Sequence, residues 1–103
     1  MPRAALLETT GELAAVGRLV ADVDHETAEI AILVADAWQG MGVGVLLTEG
    51  CLGIARQWGV RHVVALTAID NPRMIAIFEQ CGFELEYDSH GGSMRASKQI
   101  GGA

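Results

Sequence analysis

The chain has 103 residues, 13 acidic against 7 basic, a formal net charge of −6, and a hydrophobic half. That length allows one domain, and that apolar fraction supports a packed core rather than a disordered tail. The charge excludes a general nucleic-acid binder, which needs a basic face, but not an anionic ligand, because amides at a helix start hold phosphate whatever the net charge.

Residues 1–12 read as a loose N-terminal segment. Residues 13–23 (LAAVGRLVADV) are apolar and partly β-branched and predict a strand, bulged at Gly17. A polar turn follows at 24–27. Residues 28–34 (AEIAILV) form a nearly continuous apolar run, the mark of a strand buried on both faces, and the two strands make a hairpin. From 41 to 58 the period changes. Val43, Leu47, Cys51, Ile54 and Trp58 recur every three or four residues, with Thr48 and Glu49 off the stripe, which predicts an amphipathic helix stopped by Gly59. Residues 62–67 (HVVALT) predict a buried strand. Asn71-Pro72 opens a second helix, ending at Gly82. Residues 83–88 alternate as a strand with one wet face, 90–92 turn, 93–98 make a weak last strand, and 99–103 a flexible tail. The resulting fold class is α/β (α+β): a mixed, mainly antiparallel sheet around one parallel β-α-β unit over 28–67, in a single domain spanning 13–98.

Cys51 and Cys81 lie in apolar runs with no second thiol at ligand spacing, and read as reduced, buried thiols of a cytoplasmic protein. His25 and His90 fall in turns and His62 starts a strand, so no metal set is expected. No run approaches the roughly 18 apolar residues of a membrane span. The first residues carry Glu8 and Glu12 and lack a cleavage site, so no signal peptide is expected.

The segment with chemistry in it is 32–45 (ILVADAWQGMGVGV), a strand, a loop and a glycine-rich helix start. Gly40, Gly42 and Gly44 alternate where the first helical amides lack intrahelical partners and the helix dipole is positive. The arrangement points to a phosphate or pyrophosphate site. The spacing G-x-G-x-G fits neither the dinucleotide fingerprint nor the P-loop. Three glycines alone read equally well as a tight turn.

Gln39-Gly40-Met41-Gly42-Val43-Gly44 resembles the Q/R-x-x-G-x-G/A signature of the GNAT superfamily of N-acetyltransferases. Trp38, the strand Ile32-Leu33-Val34, Asn71 and the pair Gly82-Phe83 follow in the family's order, so the resemblance covers 28–87. Its flavour is that of bacterial protein-lysine acetyltransferases, through Ala28-Glu29-Ile30-Ala31 and Asn71-x-x-Met74. The resemblance implies a GNAT fold lacking the first strand and its two following helices, and acetyl-CoA as co-substrate without a metal. It further implies backbone pairing of the pantetheine arm at Ile32, Leu33 and Val34, and pyrophosphate on the amides of Gln39, Gly40, Met41, Gly42, Val43, Gly44 and Val45. Asn71 would contact the phosphopantetheine, and Phe78 would lie near the thiol. The thioester would enter a splay between the strands at 28–34 and 62–67.

Acetyl transfer to a primary amine, on a small molecule or a protein lysine, needs a base and an oxyanion donor. Glu29 is the base candidate, a carboxylate in an apolar strand whose pKa partial burial would raise. It reads equally as a strand-end carboxylate facing solvent or paired with Arg18. By resemblance the amide of Val34 is the oxyanion donor. Phe78 stands where many relatives place a proton-donating tyrosine, leaving the general acid unassigned. The short N-terminus leaves three expectations open: an acetyltransferase completed by a second copy as a homodimer, a non-catalytic CoA-binding module, or a piece of a larger acetyltransferase.

Overall fold

A computed structural model describes residues 4–8, 15–35, 40, 42–68, 71–87 and 91–101. In chain order these form β1 (Ala4–Glu8), β2 (Ala15–Ala21), β3 (Thr27–Val34), α1 (Val43–Gln57), β4 (His62–Ala68), α2 (Pro72–Gln80), β5 (Glu84–Tyr87) and β6 (Ser93–Gln99). The six strands make one sheet in the order β1-β2-β3-β4-β6-β5. Every pairing is antiparallel except β3 with β4, the parallel pair that α1 connects. The mixed, mainly antiparallel sheet with a central β-α-β unit is therefore the observed architecture.

The first correction is at the N-terminus. The segment expected to be loose contributes β1, which pairs with β2 from Ala4↔Val20 to Glu8↔Val16. Five residues of AALLE carry little strand signal alone; the template is the neighbouring strand, which no local pattern reveals. Gly17 is not a bulge, because the register passes straight through it, opposite Leu7 on one side and Ile32 on the other. Its smallness serves the helix above: a Cβ there would lie 3.0 Å from Cys51 Sγ.

Both helices cover one face of the sheet. Leu19, Ala21, Ala28, Ile30, Val63, Ala65 and Ala96 point to that face and pack with Cys51, Leu52, Ala55, Phe78 and Phe83. β3 alternates rather than being buried on both faces: Ala28 and Ile30 are buried, while Glu29, Ala31 and Leu33 are exposed. β4 does the same, and Leu66 is 67 % exposed. The expectation failed because an apolar run tells how greasy a strand is, not whether a second layer covers it.

The buried stripe of α1 is Gly44, Leu47, Thr48, Cys51, Leu52 and Ala55, rotated from the expected one so that Thr48 lies inside. Its hydroxyl donates to Gly44 O at 2.7 Å, which satisfies the one buried polar side chain found among the described residues. At the other end, β6 is no weak strand. It lies inside the sheet, paired with β4 along Ser93–Gln99 and with β5 on its other side. The expected tail is partly tied down as well: Gln99 belongs to β6, and Ile100 N donates to Arg61 O at 2.8 Å.

Candidate functional site

Both helices begin at the same end of the sheet, and a groove of about 360 Å³ opens there. Strand pairing explains the opening. β3 and β4 are in register only from Thr27↔His62 to Glu29↔Val64. β2 follows β3 onward to Val34, and β6 follows β4 to Ala68. Past Glu29 and Val64 the two central strands part, and among the described residues no strand pairs with the β4-facing edge of β3. Short of Val34, backbone groups on that edge face the opening, where an extended ligand can run alongside them.

One wall of the groove is Ile32, Leu33 and Val34 of β3. The glycine turn and α1 contribute Gly40, Gly42, Gly44 and Val45. The opposite wall is α2, with Asn71, Arg73, Met74, Ala76, Ile77 and Gln80.

The start of α1 is bare. Its N-cap Gly42 has φ of 79° and no side-chain cap, and the first turn carries no acid. Gly42 O accepts from Leu46 N at 3.0 Å, so the amides of Val43, Gly44 and Val45 have no acceptor within the helix. Positive φ at Gly40 (80°) and Gly42 (79°) turns the chain into the helix, a conformation that suits glycine. Among the described residues, a Cβ at either position would meet nothing within 4 Å. The third glycine has another purpose. A Cβ on Gly44 would stand 2.5 Å from Ile77 Cδ1, so this residue lets α1 and α2 approach.

α2 starts differently. Asn71 Oδ1 accepts from Met74 N at 3.2 Å and Pro72 opens the first turn. The cap uses the acceptor half of the amide; its Nδ2 donors are not needed for it. Two positive helix ends thus meet in one groove, and Arg73 is the only charged side chain lining it among the described residues. An acidic chain has concentrated positive potential at one place.

The expected site residues Ile32, Leu33, Val34, Gly40, Gly42, Gly44, Val45 and Asn71 are brought together in the groove. Val43 is half-buried in the first turn of α1 and does not line it. Gln39 and Met41 lie outside the described residues. Phe78 is not brought to the groove: it is 2 % exposed, in the core, with its ring centroid 5.1 Å from that of Phe83. Met74 and Ile77, one turn earlier, form the wall instead. The resemblance sets Phe78 near the thiol; the structure places it in the core, while Met74 and Ile77 both line the groove and pack against that core. Sequence reasoning also missed Arg73, Ala76, Ile77 and Gln80, although their spacing of three and four marks one helix face.

Glu29 sits at the last position of β3 paired with β4, opposite Val64 there and Val20 on β2, where the two central strands begin to part. It is exposed, on the sheet face away from the helices, so the expected partial burial is absent. Among the described residues no ion pair joins it to Arg18; the register sets Arg18 opposite Ala31, diagonal to Glu29. Along the strand Glu29 is about 10 Å from Ile32 and about 17 Å from Val34. Glu29 and the Val34 amide therefore cannot both bond to one tetrahedral centre.

The groove lining contains no histidine, cysteine, tyrosine or carboxylate among the described residues. Burial pushes the Cys51 thiol up to about 11. It does the same for Cys81, whose hydrogen bond to the Glu49 carboxylate adds to the shift. Both are inert thiols. Among the described residues no group of three potential metal ligands converges, and no helix is long and apolar enough to cross a membrane.

The family model described as the acetyltransferase (GNAT) family matches residues 2–83. YwnH of Bacillus subtilis (strain 168), which carries a provisional phosphinothricin acetyltransferase name, is 36 % identical over 59 residues; these are 57 % of this chain and 36 % of YwnH. The GNAT domain of S. lividans PAT superposes with a TM-score of 0.80 at 29 % identity, over 93 % of this chain and 59 % of that one. The Salmonella typhimurium protein yncA, solved with acetyl-CoA as its cofactor, superposes with a TM-score of 0.80 at 20 % identity, over 99 % of this chain and 66 % of that one; it shows the shared fold. The chain thus spans about a third of the length of the curated relative and about three-fifths of the S. lividans domain.

Proposed function

This chain belongs to the acetyltransferase (GNAT) family, and on that premise we propose that it binds acetyl-CoA in the groove and transfers the acetyl group to a primary amine. The observation that carries the reading is the parting of β3 and β4 beyond Glu29↔Val64, directly below the uncapped start of α1. A pantetheine arm is an extended chain with amides, and the open edge of β3 offers it a strand partner. The first-turn amides of α1 then meet the pyrophosphate, and the Asn71 Nδ2 donors meet the phosphopantetheine.

The amine enters from the uncovered sheet face, where Glu29 stands at the apex of the fork. From there its carboxylate takes the ammonium proton through an intervening water, since it lies beyond direct reach of the groove lining. The freed nitrogen attacks the thioester carbonyl, the C–N bond forms, and the carbonyl electrons move onto oxygen. The oxyanion donor is then a fork-facing amide within 30–32. Collapse of the intermediate breaks the C–S bond and expels the CoA thiolate. No lining side chain among the described residues can protonate it, so the proton still carried by the newly bonded nitrogen passes through water to the thiolate, leaving a neutral amide and the CoA thiol. A thiolate is a good enough leaving group for that, with a parent pKa near 8.5.

Calorimetry with acetyl-CoA tests the shared premise, and no binding at millimolar ligand sinks it. Release of free thiol in the presence of amines tests catalysis. Glu29→Gln is expected to cut kcat at least tenfold with acetyl-CoA affinity unchanged. A second reading, a CoA-binding module without turnover, is favoured by one observation: Glu29 lies outside the groove lining. Binding without thiol release over a panel of small amines and lysine peptides would establish it. A cytoplasmic location remains part of the proposal. A homodimer that completes the acceptor side stays part of the proposal; β1 paired beside β2 removes the open sheet edge that would have favoured it, and sedimentation of the purified chain decides the point.

A further inference from the structure

We propose that Arg73 recognises the ribose 3′-phosphate of coenzyme A and makes the groove prefer the full coenzyme to its 3′-dephospho form. This rests on the groove being the acetyl-CoA site. Coenzyme A carries two anionic groups of different kinds, an internal pyrophosphate and a terminal 3′-phosphate. The pyrophosphate is met by backbone at α1, where no charged side chain stands in the first turn. The second anion lies further out along the molecule and needs its own partner.

The packing of the helices places one there. Gly44, in the first turn of α1, is level with Ile77 of α2, as the 2.5 Å approach of its virtual Cβ to Ile77 Cδ1 shows. Arg73 is four residues before Ile77, on the same helix face and about 6 Å further along the axis. α2 therefore overshoots the start of α1 by about one turn, and at that overshoot it carries the only charged side chain lining the groove among the described residues. Arg73 is exposed, so its guanidinium works at the wet mouth of the groove. A planar guanidinium can hold a terminal phosphate through two parallel hydrogen bonds. Because the position is wet, the effect is about tenfold rather than thousandfold.

The test is calorimetric titration of the whole chain with acetyl-CoA and with acetyl-3′-dephospho-CoA, for the wild type, Arg73→Ala and Arg73→Gln. The wild type is expected to bind acetyl-CoA about tenfold more tightly than the dephospho form. Either substitution is expected to lower acetyl-CoA affinity about tenfold and leave dephospho affinity within twofold, so that the preference disappears. Equal loss for both ligands overturns the proposal and assigns Arg73 to the pyrophosphate or to the helix start. A wild type with no preference overturns it as well. Failure of the wild type to bind either thioester is a different result: it removes the acetyl-CoA reading itself.

Discussion

The two helices of this chain begin at one groove and begin in opposite ways. α2 is finished by its own sequence: Asn71 accepts from Met74 N, and Pro72 fills the first turn. α1 is left open: Gly42 offers no side chain, and among the described residues nothing stands within 4 Å of a Cβ placed there. A capped helix start is a structural device, worth about 1 kcal/mol. An uncapped one with no acid in its first turn forgoes that stabilisation and leaves its first amides without an acceptor in the helix. On the proposed reading, that difference is what sets the glycines at 40–44 apart from a simple tight turn.

The contrast can be broken most forcefully at Gly42. Gly42→Val places a branched side chain over the open amides and strains a φ of 79°. Acetyl-CoA affinity is expected to fall at least hundredfold while the circular dichroism spectrum stays native. Since among the described residues a Cβ there meets nothing within 4 Å, unchanged affinity would show that no ligand uses that space. Gly44→Ala tests the opposite claim, that the third glycine serves packing. It should destabilise the fold by about 1–2 kcal/mol in urea, because Ile77 must move; adding Ile77→Val, which removes Cδ1, should recover part of the loss. Asn71→Ala should cost about 1 kcal/mol through the lost cap. Asn71→Asp gives the smallest change and the sharpest reading. It retains the capping oxygen and hence stability, but replaces amide donors by a carboxylate, so acetyl-CoA affinity should fall several-fold. Unchanged affinity in that variant would make Asn71 a cap and nothing more.

The site was legible to different depths on its two sides. The β3–α1 side could be read directly, because glycine spacing at a helix start is a local signal with a local cause. The α2 side was half legible. Asn71-Pro72 announced the start of the helix, but the periodicity of 73–80 did not say whether the stripe with Met74 or the position of Phe78 faced the groove. Phe78 went to the core because Phe83, brought back by the turn at Gly82, packs against it. Glu29 was identified as a strand carboxylate, yet its exposure depended on which sheet face the helices cover.

The same division holds for the whole chain. Sequence alone determined what depends on neighbours within a few residues: the helix at 43–57, the start and stop of the second helix, the glycine cradle and the alternation of strand with helix. Tertiary structure decided what depends on distant partners. It made a strand of Ala4–Glu8 by laying it on β2, moved the unpromising Ser93–Gln99 to an interior position between β4 and β5, and ended the pairing of β3 and β4 at Glu29. Strand pairing is a contact between segments far apart in the chain, and hydrophobic pattern fixes which face of a strand is apolar without fixing what lies beside it. The fork that opens the groove is a place where pairing stops, and no residue at that point encodes it alone.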